Sequence, residues 1–183
     1  MTLHADTARV LADWRAPEPE QDRLRADFLR HLEDHPDGMW RECAPGHITA
    51  SVLVLDAART RALLTLHGKI KIWLQLGGHC EPGDATLAGA ALREAAEESG
   101  IAGLRLLPGG PVQLDRHRVR CHPGGSWHLD VQYAAVAPPD ARHAISDESD
   151  DLGWFPLDAL PEPTDDALRR LAARAARAAP VTS

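Results

Sequence analysis

The stretch from Gly77 to Ile101, GGHCEPGDATLAGAALREAAEESGI, constrains the fold more tightly than any other part of the chain. A turn-rich loop, Gly77-Gly78-His79-Cys80-Glu81-Pro82-Gly83-Asp84, leads through Thr86, a good N-cap residue, into an Ala-rich helix that stops at Gly100. On that helix Ala88, Leu92, Ala95 and Ala96 form an apolar stripe, which predicts packing onto a sheet.

The opposite face is acidic. Glu94, Glu97 and Glu98 stand at i, i+3 and i+4, so the three carboxylates lie one above the other and repel. A face selected only for solubility mixes in Lys or Arg at these spacings. Arg93 stands one turn before Glu97, but one guanidinium does not neutralise three carboxylates. The missing positive charge is most simply a metal, and hard oxygen ligands suit Mg²⁺ or Mn²⁺. The competing reading is a solvated Glu-rich face with an Ala core stripe.

The run Gly78, Asp84, Arg93-Glu94, Glu97-Glu98, Gly100-Ile101 resembles the signature of the Nudix hydrolases, Gly-x5-Glu-x7-Arg-Glu-U-x-Glu-Glu-x-Gly-U with U apolar. Two departures fall in the loop and helix start: Asp84 stands where the pattern has Glu, and eight residues instead of seven separate it from Arg93. The Arg-Glu-Ala-Ala-Glu-Glu-Ser-Gly-Ile core is intact. The resemblance implies an α/β (α+β) fold, a mixed β-sheet flanked by helices in an α/β/α sandwich. Residues 1–44 would form an N-terminal helical extension, and residues 45–179 the hydrolase domain with a C-terminal helix.

It also implies a role for each matching residue. Glu94, Glu97 and Glu98 would ligate Mg²⁺, with Mn²⁺ as the alternative, and the Gly77 carbonyl would add a ligand. Arg93 would orient a carboxylate through a charge-assisted hydrogen bond. Relatives often place a further carboxylate in a loop shortly before a Trp-containing strand. Glu148 is the best match here, as metal ligand or base, with Asp147 and Asp150 as rivals. Either Glu98 or Glu148 would take a proton from the attacking water. The implied reaction cuts a phosphoanhydride in a nucleoside diphosphate linked to another moiety and releases a monophosphate.

At 183 residues the chain fits one domain with appended helices. A net charge of -7, with no basic block ahead of the C-terminal tail, argues against nucleic-acid or anionic-membrane partners and leaves a small nucleotide or diphosphate as the expected ligand. Cys43, Cys80 and Cys121 are odd in number and lack C-x-x-C spacing, so a reducing cytoplasm is expected. No long apolar run or signal-like start is present, so neither secretion nor membrane spanning is expected.

Taken in order, residues from His4 to Trp14 and from Gln21 to His35 read as helices, the second with Leu24, Phe28, Leu29 and Leu32 on its apolar side. They pack on the domain or cover a partner subunit, which leaves a homodimer open. His47–Leu55 and Arg61–His67 read as a hairpin, and Lys71–Leu76 as the strand that enters the signature loop. Strands follow at Leu104–Leu107 and Val112–Cys121. Trp127–Val136 alternates, with His128, Asp130 and Gln132 on one face. That polar face is wet or lines a pocket; in the second case these three residues contact substrate. Trp73 is either a base-stacking platform or core. An acidic loop precedes an apolar strand at Leu152–Leu157, and Thr164-Asp165-Asp166 opens a last helix.

Three other readings have weaker support. His79, Cys80, Cys121 and His122 lack zinc-ligand spacing. A non-catalytic ligand-binding or interaction module on the same fold would show loss of the acids, and they are all present. An isoprenoid diphosphate isomerase would need a catalytic Cys in a matching motif, and neither Cys80 nor Cys121 sits in one. The Pro and Tyr marks of ADP-ribose pyrophosphatases and dinucleoside polyphosphate hydrolases are missing around Asp115 to Val119, so the diphosphate stays unspecified.

Overall fold

Two helices open the chain because each has a defined start and one apolar stripe. The computed structural model describes residues 1–119, 124–144 and 149–178. Helix α1 (Leu3–Asp13) starts at Thr2, whose hydroxyl accepts from Ala5 N–H at 3.2 Å. Helix α2 (Pro19–Asp34) starts with Pro at its first turn, where the missing N–H costs nothing. Leu11, Phe28 and Leu32 are buried in the core shared with the sheet. Each such side chain contributes roughly 1.5–3 kcal/mol by leaving water. The helices therefore pack on the domain. Gln21 adds a two-way clamp on the sheet: its amide donates to the Leu114 carbonyl at 3.0 Å and accepts from Leu114 N–H at 2.7 Å.

The sheet is mixed and is built around β1 (His47–Leu55), which is buried along its whole length. The end of β1 forms the expected hairpin with β2 (Arg61–His67), pairing Val54 with Leu63. Beyond the hairpin the chain departs from the single strand expected over 71–76. Strand β3 (Trp73–Leu74) pairs with β2, and β4 (Leu76–His79) pairs with the first half of β1. The change of partner at Gln75 is possible because Gly77 follows. It adopts φ +150°, and a Cβ there would stand 2.4 Å from the Ser51 Cβ.

Strand β5 (Arg105–Leu106) and β6 (Gln113–Val119) both pair antiparallel with β7 (Ser126–Val136), and β7 runs parallel to β1. Strand β8 (Ser149–Pro156) pairs with β2. It begins before the apolar run, so Asp150 and Asp151 are strand residues and not the loop residues the sequence suggested. Helix α4 (Asp166–Arg177) starts at Asp165, which accepts from Leu168 N–H at 2.8 Å.

Alternation in β1 sends side chains to two cores. Ile48, Ala50, Val52 and Val54 face the layer formed by α1, α2 and helix α3 (Leu87–Ser99). Leu53 and Leu55 face α4 together with Leu168, Leu171 and Ala175. The result is an α/β/α arrangement of a curled mixed sheet. No helix among the described residues is long and apolar enough to cross a membrane.

Candidate active site

Helix α3 is fixed at both ends. The Thr86 hydroxyl accepts from Gly89 N–H at 3.0 Å, and Gly100 closes the helix in the left-handed conformation at φ +67°. A further partner comes from far away in sequence: the buried carboxylate of Asp6 on α1 accepts from Leu87 N–H at 2.9 Å. It places an acid at the positive end of the helix dipole. The buried stripe of α3 runs through Leu87, Ala91 and Ala95, with Ala88 and Leu92 packed beside it. This is rotated slightly from the expected stripe, and Ala96 is only partly covered.

The acids emerge on the other side. Arg93 lies among them and ties the loop to the helix. Its Nε and Nη2 each donate to Asp84 at 3.0 Å, its Nη1 donates to Glu94 at 2.9 Å and Glu97 at 3.0 Å, and its Nη2 also reaches the His79 carbonyl at 3.0 Å. Asp84, which departs from the signature pattern, anchors this guanidinium in the fold. Glu98 accepts from Gly77 N–H at 2.9 Å, so the loop backbone and the helix meet at this carboxylate as well. Gly78 makes the approach possible, because a Cβ there would lie 2.7 Å from Glu94 Oε2.

The three glutamates differ in environment. Glu97 has a side chain 61% exposed, whereas Glu94 is largely covered. Burial pushes the Glu94 carboxyl up, Arg93 pulls it down, and Glu97 and Glu81 add repulsion, with a raised value as the outcome. All the clustered donors are carboxylate oxygens, and the one guanidinium among them is shared with Asp84. Surplus negative charge held on a rigid helix, with hard donors only, fits a divalent cation such as Mg²⁺. Glu148 and Asp147 lie outside the described residues. Asp150 is an exposed residue of β8, ion-paired with Lys71.

The polar side of β7 lies on the α4 face of the sheet, away from α3. The predicted alternation is present: His128, Asp130 and Gln132 pair in register with His47, Thr49 and Ser51 of β1. Beyond the partly exposed His128 this face is covered. Asp130 is buried and accepts from Thr49 Oγ1 at 2.9 Å, from Gln132 Nε2 at 2.8 Å and from Ser51 Oγ. Gln132 is buried too and accepts from Gln113 Nε2 at 2.7 Å. Trp73 sits in the core under α4, its ring 4.6 Å from that of Phe155 between centroids. Trp73, Asp130 and Gln132 are thus placed in the interior, apart from the acids of α3.

His128 belongs to a group of imidazoles formed with His47, His79 and His117. Burial, followed by the charges of those neighbours, pushes its pKa down to about 3. His117, by contrast, is raised: burial lowers it, but Asp115, 2.8 Å away, outweighs that effect. The convergence of these four rings is absent from the sequence reading, because strand pairing alone brings them together. Cys80 is buried in the α3-side core, and burial pushes its thiol up to about 12, which leaves it neutral and unfit as a nucleophile. Cys121 lies outside the described residues.

The NUDIX domain model matches residues 45–175. No curated protein matches the chain. Among solved structures, a hydrolase of the NUDIX family from Clostridium perfringens is 25% identical, with a TM-score of 0.54 over 72% of this chain and 95% of that one. A C. elegans Ap4A hydrolase in a binary complex is 20% identical, with a TM-score of 0.51 over 69% of this chain and 95% of that one. The NUDIX domain of Shewanella oneidensis NrtR, complexed with ADP ribose, is 17% identical, with a TM-score of 0.55 over 81% and 96% of the two chains.

Proposed function

The chain belongs to the NUDIX family, and from that premise we propose that it hydrolyses a phosphoanhydride bond in a nucleoside diphosphate linked to another moiety, releasing a monophosphate. The observation that carries this reading is the acid face of α3, with Glu94, Glu97 and Glu98 presented beside a loop that Arg93 and Gly77 fasten to it. Nudix enzymes generally require a divalent metal. Mg²⁺ is the proposed ion here, with Mn²⁺ as the alternative, held by Glu94, Glu97 and Glu98 with the Gly77 carbonyl and Glu148 as further ligands. Such an ion supplies charge neutralisation at phosphoryl oxygens and a more acidic water.

The chain's own residues do the positioning. Arg93 holds Glu94 and Glu97 in fixed orientations while Asp84 holds Arg93, so reorganisation during the reaction is small. Gly77 N–H donates to Glu98 and fixes where this carboxylate stands, and Glu98 takes the proton from the attacking water. Glu148 is the rival for that role. One neighbour is named an Ap4A hydrolase and another is complexed with ADP ribose, which supports a nucleotide-class substrate. We also take residues 1–44 as a helical extension of a domain over 45–179; the family match beginning at residue 45 supports that division.

The test is monophosphate release from a panel of nucleoside triphosphates, ADP-ribose, nucleotide sugars, dinucleoside polyphosphates and coenzyme A, with Mg²⁺ and with EDTA. Turnover on one group, abolished by EDTA, supports the reading and names the substrate class. Turnover on none of them counts against it.

A further inference from the structure

Three histidines from three neighbouring strands meet on the α4 face of the sheet. His47 of β1 is in register with His128 of β7, and His79 of β4 pairs with Thr49, two residues along β1 from His47. Their ring centroids form a nearly equilateral triangle: 5.0 Å between His47 and His79, 4.8 Å between His47 and His128, and 5.1 Å between His79 and His128. One ring nitrogen from each lies within 4.8 Å of the others. Nitrogens bound tetrahedrally to one zinc stand about 3.3 Å apart at Zn–N distances of about 2.0–2.1 Å. Small ring rotations therefore close the triangle.

From this geometry we infer that His47, His79 and His128 form a three-imidazole site for a divalent transition ion of the zinc class. Imidazole is a ligand for zinc, copper, iron and nickel, and a poor one for magnesium. The site is thus chemically distinct from the carboxylates of α3. Three protein ligands leave one position for water or a small anion, as in open zinc sites. His47 is fully buried at the back, and the partly exposed His79 and His128 face the open side. Of the acids on this face, Asp130 is engaged by Thr49, Ser51 and Gln132, and Asp115 by His117.

His117 stands beyond His128 with ring centroids 5.2 Å apart, and its Nδ1 is held by Asp115 at 2.8 Å. A carboxylate in this position fixes ring orientation, as outer partners of metal-binding histidines do. His117 is thereby held beside the three rings. The His79 carbonyl accepts from Arg93, so an ion held by the His79 ring would brace the loop that positions the acids. The inference does not depend on the activity proposed above.

The test is Zn²⁺ titration of the full chain, stripped with chelator and kept in excess Mg²⁺, followed by calorimetry and by X-ray absorption at the zinc edge. Wild type should bind one equivalent with imidazole nitrogen as the main ligand. His79→Gln and His128→Gln should each weaken binding by at least about 100-fold, the upper end of what losing even an outer partner costs. Glu97→Gln should bind Zn²⁺ as wild type does. An all-oxygen shell in wild type, no bound Zn²⁺, or loss of binding in Glu97→Gln would overturn the assignment. The absorption measurement on wild type decides the matter even if a histidine variant fails to fold.

Discussion

Asp84 grips Arg93 through two hydrogen bonds of 3.0 Å each, from Nε to one carboxylate oxygen and from Nη2 to the other. This is the parallel fork geometry in which Arg and a carboxylate bind best. The side chain of Asp84 is only 6% exposed, and Glu81 N–H adds a third bond at 2.8 Å. Burial alone would push the Asp84 carboxyl up, but Arg93 and the Glu81 N–H outweigh it and hold it below the usual range. A depressed folded-state value means that Asp84 contributes stability above its unfolded pKa of about 3.9, and that this is lost as pH falls through the folded value. Asp84→Asn should cost about 1.5–3 kcal/mol near neutral pH. It should also flatten the acid limb of stability, read by urea unfolding across a pH series.

Asp6 and Leu87 couple the N-terminal helices to the acid helix. Asp6→Ala leaves the Leu87 N–H buried without its carboxylate and should destabilise the fold by about 1–3 kcal/mol. Asp6→Asn keeps an acceptor oxygen and should recover part of that loss. Denaturant midpoints of the two variants provide the comparison.

Gly78 is where the loop passes closest to Glu94. Ala at this position would put its Cβ 2.7 Å from Glu94 Oε2, so the carboxylate must move. A flexible side-chain end yields cheaply, and Gly78→Ala should cost only about 1 kcal/mol of stability. Turnover should suffer more, by about 100-fold, as expected when a positioned group shifts by about 1 Å. Paired unfolding and steady-state kinetics separate the two effects.

Glu98 and Glu148 are the two proposed bases. Removal of the true base should lower kcat by about 100- to 10,000-fold and abolish the acidic limb of the pH–rate profile. Glu98→Gln and Glu148→Gln, assayed side by side, assign the role: the variant that keeps the limb is not the base.

Much of α3 was legible because its signals are local. Thr86, the acid spacing and Gly100 define its start, its face and its stop without reference to the rest of the chain. The hairpin of β1 and β2 was legible for the same reason. The split into β3 and β4 was not, because it depends on how closely Gly77 can approach Ser51 across the sheet. Alternation in β7 revealed two faces but not what covers them, and the buried network around Asp130 on the polar face needs Thr49 and Ser51 of another strand. Histidines at 47, 79 and 128 are scattered in sequence, and only the pairing of β4 and β7 with β1 brings them within reach of one another.

The most direct test of the central claim is monophosphate release by wild type and Glu97→Gln on the best substrate, with Mg²⁺ and with EDTA. Glu97 is largely exposed and its partner is the shared Arg93, so the substitution should change stability by less than about 0.5 kcal/mol. Glu97→Gln should fold, and its turnover should fall by at least about 100-fold, toward the rate of wild type in EDTA. A folded Glu97→Gln protein with wild-type turnover would contradict the assignment of α3 as the catalytic face.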